Sequence, residues 1–190
     1  MSTTHDSRPT AVIVFESMFG STRRVAEAIA EGMSGRVQVS VTSATDKPTV
    51  NPSDVLIVGA PTHAHSLSRP ESRREAVRWA QDSKAHLTLE ADGRASGIRE
   101  WLEAAPAVSH GFAAFDTRVD MPRIFTGSAA TVIAKRLRKQ GNNAIAGAES
   151  FLVDKDSHLL EGELERARHW GARLADTALV ARHSDNGGAS

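Results

Sequence analysis

Cysteine and tyrosine are both absent from the 190 residues of this sequence. The absence of cysteine excludes disulfides, thiolate metal ligands, cysteine-bound iron–sulfur clusters and cysteine nucleophiles. An excess of one charge is also lacking, because 23 Lys and Arg residues balance 23 Asp and Glu residues. Nucleic-acid-binding domains usually carry a basic excess, and acidic electron carriers carry the opposite. We therefore expect no nucleic-acid partner, and we predict no metal site.

Long apolar runs are lacking as well. None approaches the roughly 20 residues that span a bilayer, and the first ten residues lack the apolar stretch of a secretory signal. We therefore expect no membrane partner and a cytoplasmic location. Hydrophobic residues make up 40% and charged residues 24%, as in ordinary globular domains. The sequence predicts one domain over residues 11–181, between disordered tails at 1–10 and 182–190.

Short apolar runs alternate with segments of helical periodicity. Valines at 37, 39 and 41 alternate with polar residues, which indicates a strand covered on one face at a sheet edge. The other strands are predicted at 11–15, 55–60, 112–115 and 151–153. Helices are predicted at 22–33, 98–105, 128–139 and 161–180. Since parallel neighbours need crossover connections, this alternation predicts an α/β fold, a doubly wound five-stranded parallel sheet in the order 2-1-3-4-5.

The connection after the third strand is unusually long. Residues 66–92 are rich in Ser, Arg and Glu and contain few apolar positions. Long connections in compact domains are usually functional or disordered. We therefore interpret this insertion as a mobile cover, helical in part.

The ligand site of such a sheet lies beyond the carboxyl ends of its strands, here between strands 1 and 3. After strand 1 comes a turn that leads directly into a helix: Ser17, Met18, Phe19, Gly20, Ser21 and Thr22. Helix N-terminal amides and hydroxyl groups suit one terminal phosphate. The turn has no lysine and no GxGxxG pattern, so it is neither a triphosphatase loop nor a dinucleotide loop. The alternative is that Ser21 or Thr22 merely caps the helix.

The turn and the helix after it resemble the phosphate loop of flavodoxins, T/S-x-T-G-x-T. Phe19 replaces the middle threonine, as aromatic residues do in the flavodoxin modules of flavodiiron proteins. Residues 59–62, Gly-Ala-Pro-Thr, resemble the G-x-P-T signature of the quinone-reductase and flavodiiron branches, and 151–171 resemble the family's last strand and helix. The resemblance covers about residues 11–181 and implies a flavodoxin-like fold that binds FMN.

The same resemblance implies which residues contact the flavin. One side of the ring would meet the segment after strand 3, namely Pro61, Thr62, His63 and Ala64. Thr62 would bond the ribityl chain, and His63 or His65 could pack on the ring. The other side would meet the loop after strand 4, namely Phe115, Asp116, Thr117 and Arg118. In the alternative interpretation, these histidines have no role at the surface, and Asp116 pairs with Arg118 or caps a turn.

The missing tyrosine departs from many flavodoxins, in which a tyrosine stacks on the flavin. Trp79 of the insertion could supply that contact, whereas Trp101 and Trp170 have spacings that favour packing.

Three functional alternatives follow. A phosphoacceptor receiver domain shares this strand order, but strand 3 ends in Gly59-Ala60-Pro61 and lacks the acceptor aspartate. A binding or regulatory module that has lost its flavin is compatible with the sequence. Within the flavin interpretation, the partner is either a redox protein or a small molecule of the NAD(P)H or quinone type. Arginines at 69, 73, 74 and 78 fit NAD(P)H or an anionic partner. The sequence assigns no catalytic residue and no oligomeric state.

Overall fold

The computed structural model describes residues 8–63, 65–81, 88–90, 97–108 and 110–186. Five strands form one sheet: β1 Thr10–Phe15, β2 Gln38–Ser43, β3 Val55–Pro61, β4 Phe112–Val119 and β5 Glu149–Val153. Every neighbouring pair is parallel, and the order is β2-β1-β3-β4-β5. The predicted doubly wound α/β fold is confirmed.

Helices cover both faces of this sheet. They are α1 Ser21–Met33, α2 Pro70–Gln81, α3 Ile98–Trp101, α4 Arg123–Thr126, α5 Ala129–Lys139 and α6 Glu163–Asn186. Helices α1 and α6 pack against each other on one face, and α3 and α5 cover the other. Between β2 and β3 the described chain forms a single 3₁₀ turn, Ala44–Asp46. Among the described residues, no helix is both long enough and apolar enough to cross a membrane.

Each central strand contributes to two cores, because successive side chains of a strand point to opposite faces. Ile13 and Ile57 face the α1–α6 layer, whereas Val14 and Leu56 face the α3–α5 layer. In the first layer, three aromatic rings meet edge to face with centroids 6.1–6.2 Å apart: Phe115, Phe151 and Trp170. The two-sided burial explains why β1 and β3 are continuous apolar runs.

Helices α1 and α6 approach each other at two glycines. A Cβ on Gly171 would lie 2.2 Å from the carbonyl oxygen of Ile29, and a Cβ on Gly32 would lie 2.0 Å from that of Arg168. The two backbones are therefore in direct contact, which only a residue without a side chain allows here.

Several element boundaries differ from the sequence prediction. Strand β4 continues to Val119, because its second half pairs with β5, so residues 116–118 lie within a strand and not in a loop. Strand β1 begins at Thr10, inside the predicted N-terminal tail. Helix α6 runs to Asn186 and so passes residue 181, where the predicted domain ended. The short helix α4 was not predicted.

The insertion packs more closely than predicted. Leu67 belongs to the core on the α3–α5 face, and Ser68, Arg73 and Ala76 are buried. At these four positions the insertion is therefore part of the packed interior and not a cover outside the core, while its mobility stays a prediction. Residues 82–87 and 91–92 of the predicted cover lie outside the described residues.

Candidate functional site

A cavity of about 330 Å³ opens at the carboxyl edge of the sheet, between the segments that follow β1, β3 and β5 and the end of β4. This is the edge where an open doubly wound sheet binds ligands. The cavity is lined by Met18, Phe19, Ser21, Thr22, Pro61, Thr62, His63, Trp79, Thr117, Arg118, Val119, Val153, Lys155 and Ser157. The structure thus brings together nine of the fourteen residues predicted for the site.

The N-terminus of α1 forms one wall of the cavity. Gly20 is the N-cap residue, with φ of 90°, and its own amide donates to Ser17 Oγ at 3.1 Å. Among the described residues no side chain caps α1, and its first turn contains no acidic residue. The amides of the first turn have no partner within the helix, so they remain available to an anion. The alternative that Ser21 or Thr22 caps the helix is wrong.

The two hydroxyl residues of this turn connect α1 to the other walls. Ser21 Oγ donates to the carbonyl oxygen of Ser157 at 2.5 Å. Thr22 Oγ1 lies 2.8 Å from Thr117 Oγ1. Both side chains are buried, and each hydroxyl oxygen retains acceptor capacity. These contacts fix the turn at 17–22 against β4 and the segment after β5.

The N-terminus of α5 lies at the same edge but is fully capped. The amides of residues 129–131 donate to Thr62 Oγ1, Asp116 Oδ2 and Ser128 Oγ at 2.9, 2.9 and 3.2 Å. The Asp116 carboxylate takes the place that an external anion would occupy at a helix N-terminus. Of these two helix N-termini, only that of α1 can receive a ligand.

Two predicted contact residues lie away from the cavity. Asp116 is 0% exposed and caps α5; its Oδ2 also accepts from the hydroxyls of Thr62 and Ser128 at 3.1 and 2.6 Å. Its Oδ1 has no partner among the described residues. Phe115 belongs to the aromatic cluster of the core. Thr62 does line the cavity, but its hydroxyl is engaged at α5 and not free for a ribityl chain.

Arg118 extends along the rim of the cavity. Its Nη1 donates to the carbonyl oxygens of Met121 and Val119 at 2.5 and 3.3 Å. Within the described ranges it makes no ion pair with Asp116 or Asp120, so the alternative of a pair with Asp116 is wrong. Its Nε is buried and has no acceptor among the described residues.

The segment after β3 forms a tight turn. The main-chain groups of His63 and Ser66 pair at 2.8 and 2.9 Å, and His65 adopts φ of 71° beside Gly127. The His63 side chain lines the cavity, and burial lowers its pKa, so the ring is neutral at pH 7. His65 is not among the lining residues. Ala64, predicted to contact the flavin, lies outside the described residues.

Sequence reasoning missed the contribution of the segment after β5. Lys155 and Ser157 reach the cavity from there, and Lys155 brings a cation to a cradle whose own loop contains none. The order 2-1-3-4-5 places the carboxyl end of β5 beside that of β4, which is the signal that could have pointed to it. Trp79, proposed from the sequence as a stacking residue, does line the cavity and is 47% exposed.

Comparisons with known proteins agree with the fold described above. Residues 12–72 match the family described as Flavodoxin domain. The fold is flavodoxin-like. It superimposes on a flavodoxin from the domain Archaea with a TM-score of 0.57 and 20% identity, covering 89% of this chain and 98% of that one. It superimposes on oxidised flavodoxin 1 from Bacillus cereus with a TM-score of 0.60 and 16% identity, covering 88% of this chain and 97% of that one.

A flavodoxin, WrbA-like protein from Agrobacterium tumefaciens gives a TM-score of 0.53 at 19% identity, covering 92% of this flavodoxin-like chain and 98% of that one. At these identities the structural likeness establishes the fold alone. No curated protein sequence matches the chain.

The donors in the cavity of this flavodoxin-like chain fit a planar ligand with one phosphate. The open amides of α1 and the Thr22 hydroxyl suit the phosphate. The buried Nε of Arg118 needs an acceptor, and the Trp79 indole offers an aromatic face. The volume lies within the range of about 300–1,000 Å³ that is usual for small-molecule sites. The residues present therefore fit FMN.

A buried polar cluster lies next to the turn at 17–22. Glu16, 6% exposed, immediately precedes the loop. One of its carboxylate oxygens accepts from the Ser68 hydroxyl, and the other accepts from the Ile98 amide at 2.9 Å. Arg73 joins the cluster by donating to Ser68 Oγ and Glu100 Oε1, both at 2.9 Å. Burial raises the pKa of Glu16, and these contacts partly oppose the rise.

Proposed function

We propose that this chain binds FMN non-covalently and acts in electron transfer. One observation carries the proposal: at the carboxyl edge of the sheet, no side chain of the described residues caps the N-terminus of α1, whereas that of α5 is fully capped. An uncapped helix N-terminus beside a cavity is a ready anion site. The cytoplasmic location expected from the sequence belongs to the same proposal.

Different residues would bind different parts of the ligand. The amides of residues 21–23 and the Thr22 hydroxyl would hold the phosphate, and Lys155 would add a positive charge. Trp79 and the segment that contains His63 would cover the ring and exclude water. When bound, FMN supplies reversible uptake and release of electrons. The protein contributes binding, orientation and the charges around the ring.

The arrangement favours FMN over FAD. A dinucleotide needs a second phosphate position and a pocket for its adenosine. Another helix N-terminus at this edge, that of α5, is already occupied by the Asp116 carboxylate. We therefore expect FMN and riboflavin to bind in the same cavity, with FMN tighter because of the phosphate, and FAD to bind weakly.

The test is the visible absorption spectrum of the purified protein, followed by titration of flavin-free protein with FMN, FAD and riboflavin. We expect flavin absorption bands and the order FMN, then riboflavin, then FAD. A protein that binds none of the three would refute the proposal. Tighter binding of FAD than of FMN would refute the assignment of a single phosphate site.

A flavodoxin-fold module that has lost its flavin is the second candidate. Its support is that Ser21 and Thr22 already have protein partners in the structure, and that no tyrosine is present to stack on a flavin. The same titration separates the two functions. Colourless protein that stays colourless with excess FMN would favour the binding module.

The choice between an electron carrier and a small oxidoreductase depends on the partner. Arg74 and Arg78 are exposed on α2, on the same helix as Trp79. Arg74 pairs with Glu71 at 3.1 Å, so Arg78 is the charge of this helix that favours NAD(P)H or another anionic partner over a basic redox protein. Oxidation of NADPH by the FMN-loaded protein, with a quinone as acceptor, tests this choice.

A further inference from the structure

Arg23 lies where a helix usually places an acidic residue. It is in the first turn of α1, close to the positive end of the helix dipole, and Arg24 follows it. Its guanidinium turns back over the N-terminus: Nη2 lies 4.0 Å from the point that a Cβ on Gly20 would occupy. A cation in this position is unfavourable unless an anion is near.

Glu90 supplies that anion. Its Oε1 accepts from Arg23 Nε at 2.5 Å and lies 3.6 Å from the same point above Gly20. Its amide donates to the carbonyl oxygen of Met18 at 2.8 Å. The Glu90 side chain is 18% exposed, against 47% for Arg23. The amide and the carboxylate of Glu90 together therefore hold a negative charge beside Gly20, where the carboxylate bonds Arg23.

A carboxylate and a phosphate cannot both lie here at low cost, because like charges at close range repel. We propose that Arg23 is a phosphate-binding residue of the FMN site, and that Glu90 is an internal carboxylate which the ligand's phosphate displaces from it. This inference rests on the proposed function and adds a cation that the phosphate loop lacked.

The exchange is favourable on charge grounds. A phosphate monoester carries nearly two negative charges at pH 7 and three acceptor oxygens, and a guanidinium bonds such a group more strongly than a single carboxylate. The pair that must break is half exposed on the arginine side, and pairs of this kind contribute little to stability. Hydrogen bonding to Glu90 raises the pKa of Arg23, so the guanidinium stays charged throughout.

Glu27 provides a matched control. Its Oε1 accepts from Nη1 of the same arginine at 3.3 Å, one turn further along α1. Glu27→Gln therefore removes an equal charge from the same guanidinium, but on the side away from Gly20.

The experiment measures FMN and riboflavin affinity for wild type, Glu90→Gln, Glu27→Gln and Arg23→Gln at low salt. We expect Glu90→Gln to tighten FMN binding by about three- to tenfold and Arg23→Gln to weaken it by at least fivefold. Riboflavin, which has no phosphate, should bind all four proteins equally, and Glu27→Gln should resemble wild type. Unchanged FMN affinity in Glu90→Gln, or equal gains in both glutamate variants, would overturn the proposal.

A second measurement tests the anion site at Arg23 without any flavin. Inorganic phosphate, compared with chloride at equal ionic strength, should raise the unfolding temperature of Glu90→Gln more than that of wild type. If wild type binds no flavin but phosphate still stabilises Glu90→Gln selectively, the proposed function fails while the anion site stands. Equal phosphate effects in wild type and Glu90→Gln would refute the role of Glu90.

Discussion

The hydroxyl oxygens of Thr22 and Thr117 lie 2.8 Å apart, and this contact joins the first turn of α1 to the carboxyl end of β4. The two residues are separated by 95 positions in the sequence. The contact keeps the Thr22 side chain at the cavity wall, where its hydroxyl can turn toward a ligand oxygen. It thus links the phosphate loop to the strand that carries Arg118.

The first prediction concerns Thr22→Val. The substitution keeps the shape but removes the hydroxyl, and hydrogen bonds to charged groups contribute about 1.5–3 kcal/mol. FMN should therefore bind roughly tenfold more weakly or worse, as measured by fluorescence titration. Thr177→Val, whose hydroxyl bonds only within α6, is the control and should leave affinity unchanged. Equal affinity of Thr22→Val and wild type would argue against this phosphate loop.

The second prediction concerns Glu16 and pH. Burial raises the pKa of Glu16 in the folded protein, so the folded state holds this proton more tightly than the unfolded state. The resulting stabilisation is fully present below the unfolded pKa and is lost as pH rises through the folded pKa. Glu16→Gln has no such dependence. Its free energy of unfolding relative to wild type should therefore increase between pH 4 and pH 8.

Urea unfolding of both proteins at several pH values measures this difference. Glu103→Gln serves as the control, because Glu103 is exposed at the surface, and its difference from wild type should be smaller and flatter. A stability difference for Glu16→Gln that falls with rising pH would show that the hydrogen bonds from Ser68 and Ile98 outweigh the cost of burial.

The third prediction tests the contact between α1 and α6. Gly171→Ala would place a methyl group 2.2 Å from the carbonyl oxygen of Ile29, so the helices must separate. Overpacking of this kind usually costs about 1–3 kcal/mol, measurable as a lower urea midpoint. Gly147→Ala is the control, because a Cβ there meets nothing within 4 Å. A loss of stability in Gly147→Ala as large as in Gly171→Ala would contradict the assignment.

Much of the fold followed from the sequence because its signals are local. The valines of β2 alternate with polar residues, and the edge strand they predicted is covered on one face. The turn at 17–22 was located from the strand before it and the helix after it. Each of these inferences needs only neighbouring residues.

The site was harder to predict, because its polar residues have distant partners. Asp116 resembles a loop residue in the sequence, yet it is buried because the amides of α5 need a carboxylate cap. Glu16 is buried for a similar reason, since it bonds Ser68 of the insertion and Ile98 at the start of α3. Because these partners are far apart in the sequence, no periodic pattern in the sequence indicates that they pair.

The last prediction concerns the reduction potential of bound flavin and Arg118. Reduction adds negative charge to the ring, and a nearby guanidinium stabilises that charge. Two unit charges ~4 Å apart interact by about 4 kcal/mol at an effective dielectric near 20, and by less where water intervenes. For one electron, about 1.4 kcal/mol corresponds to ~59 mV. Arg118→Ala should therefore lower the one-electron potential of the last step of flavin reduction by roughly 60–100 mV.

The structure sharpens this test. Arg118 already donates to the carbonyl oxygens of Met121 and Val119, and these contacts hold its guanidinium at the rim of the cavity. Arg118→Lys should have a potential close to that of wild type, because it preserves the charge. Arg123→Ala removes a charge from α4, where Arg123 bonds Ser150 at 3.0 Å, and serves as the control. Redox titration at one pH compares the four proteins. A shift in Arg118→Ala under ~15 mV, or one matched by Arg123→Ala, would place the guanidinium too far from the ring to act on it.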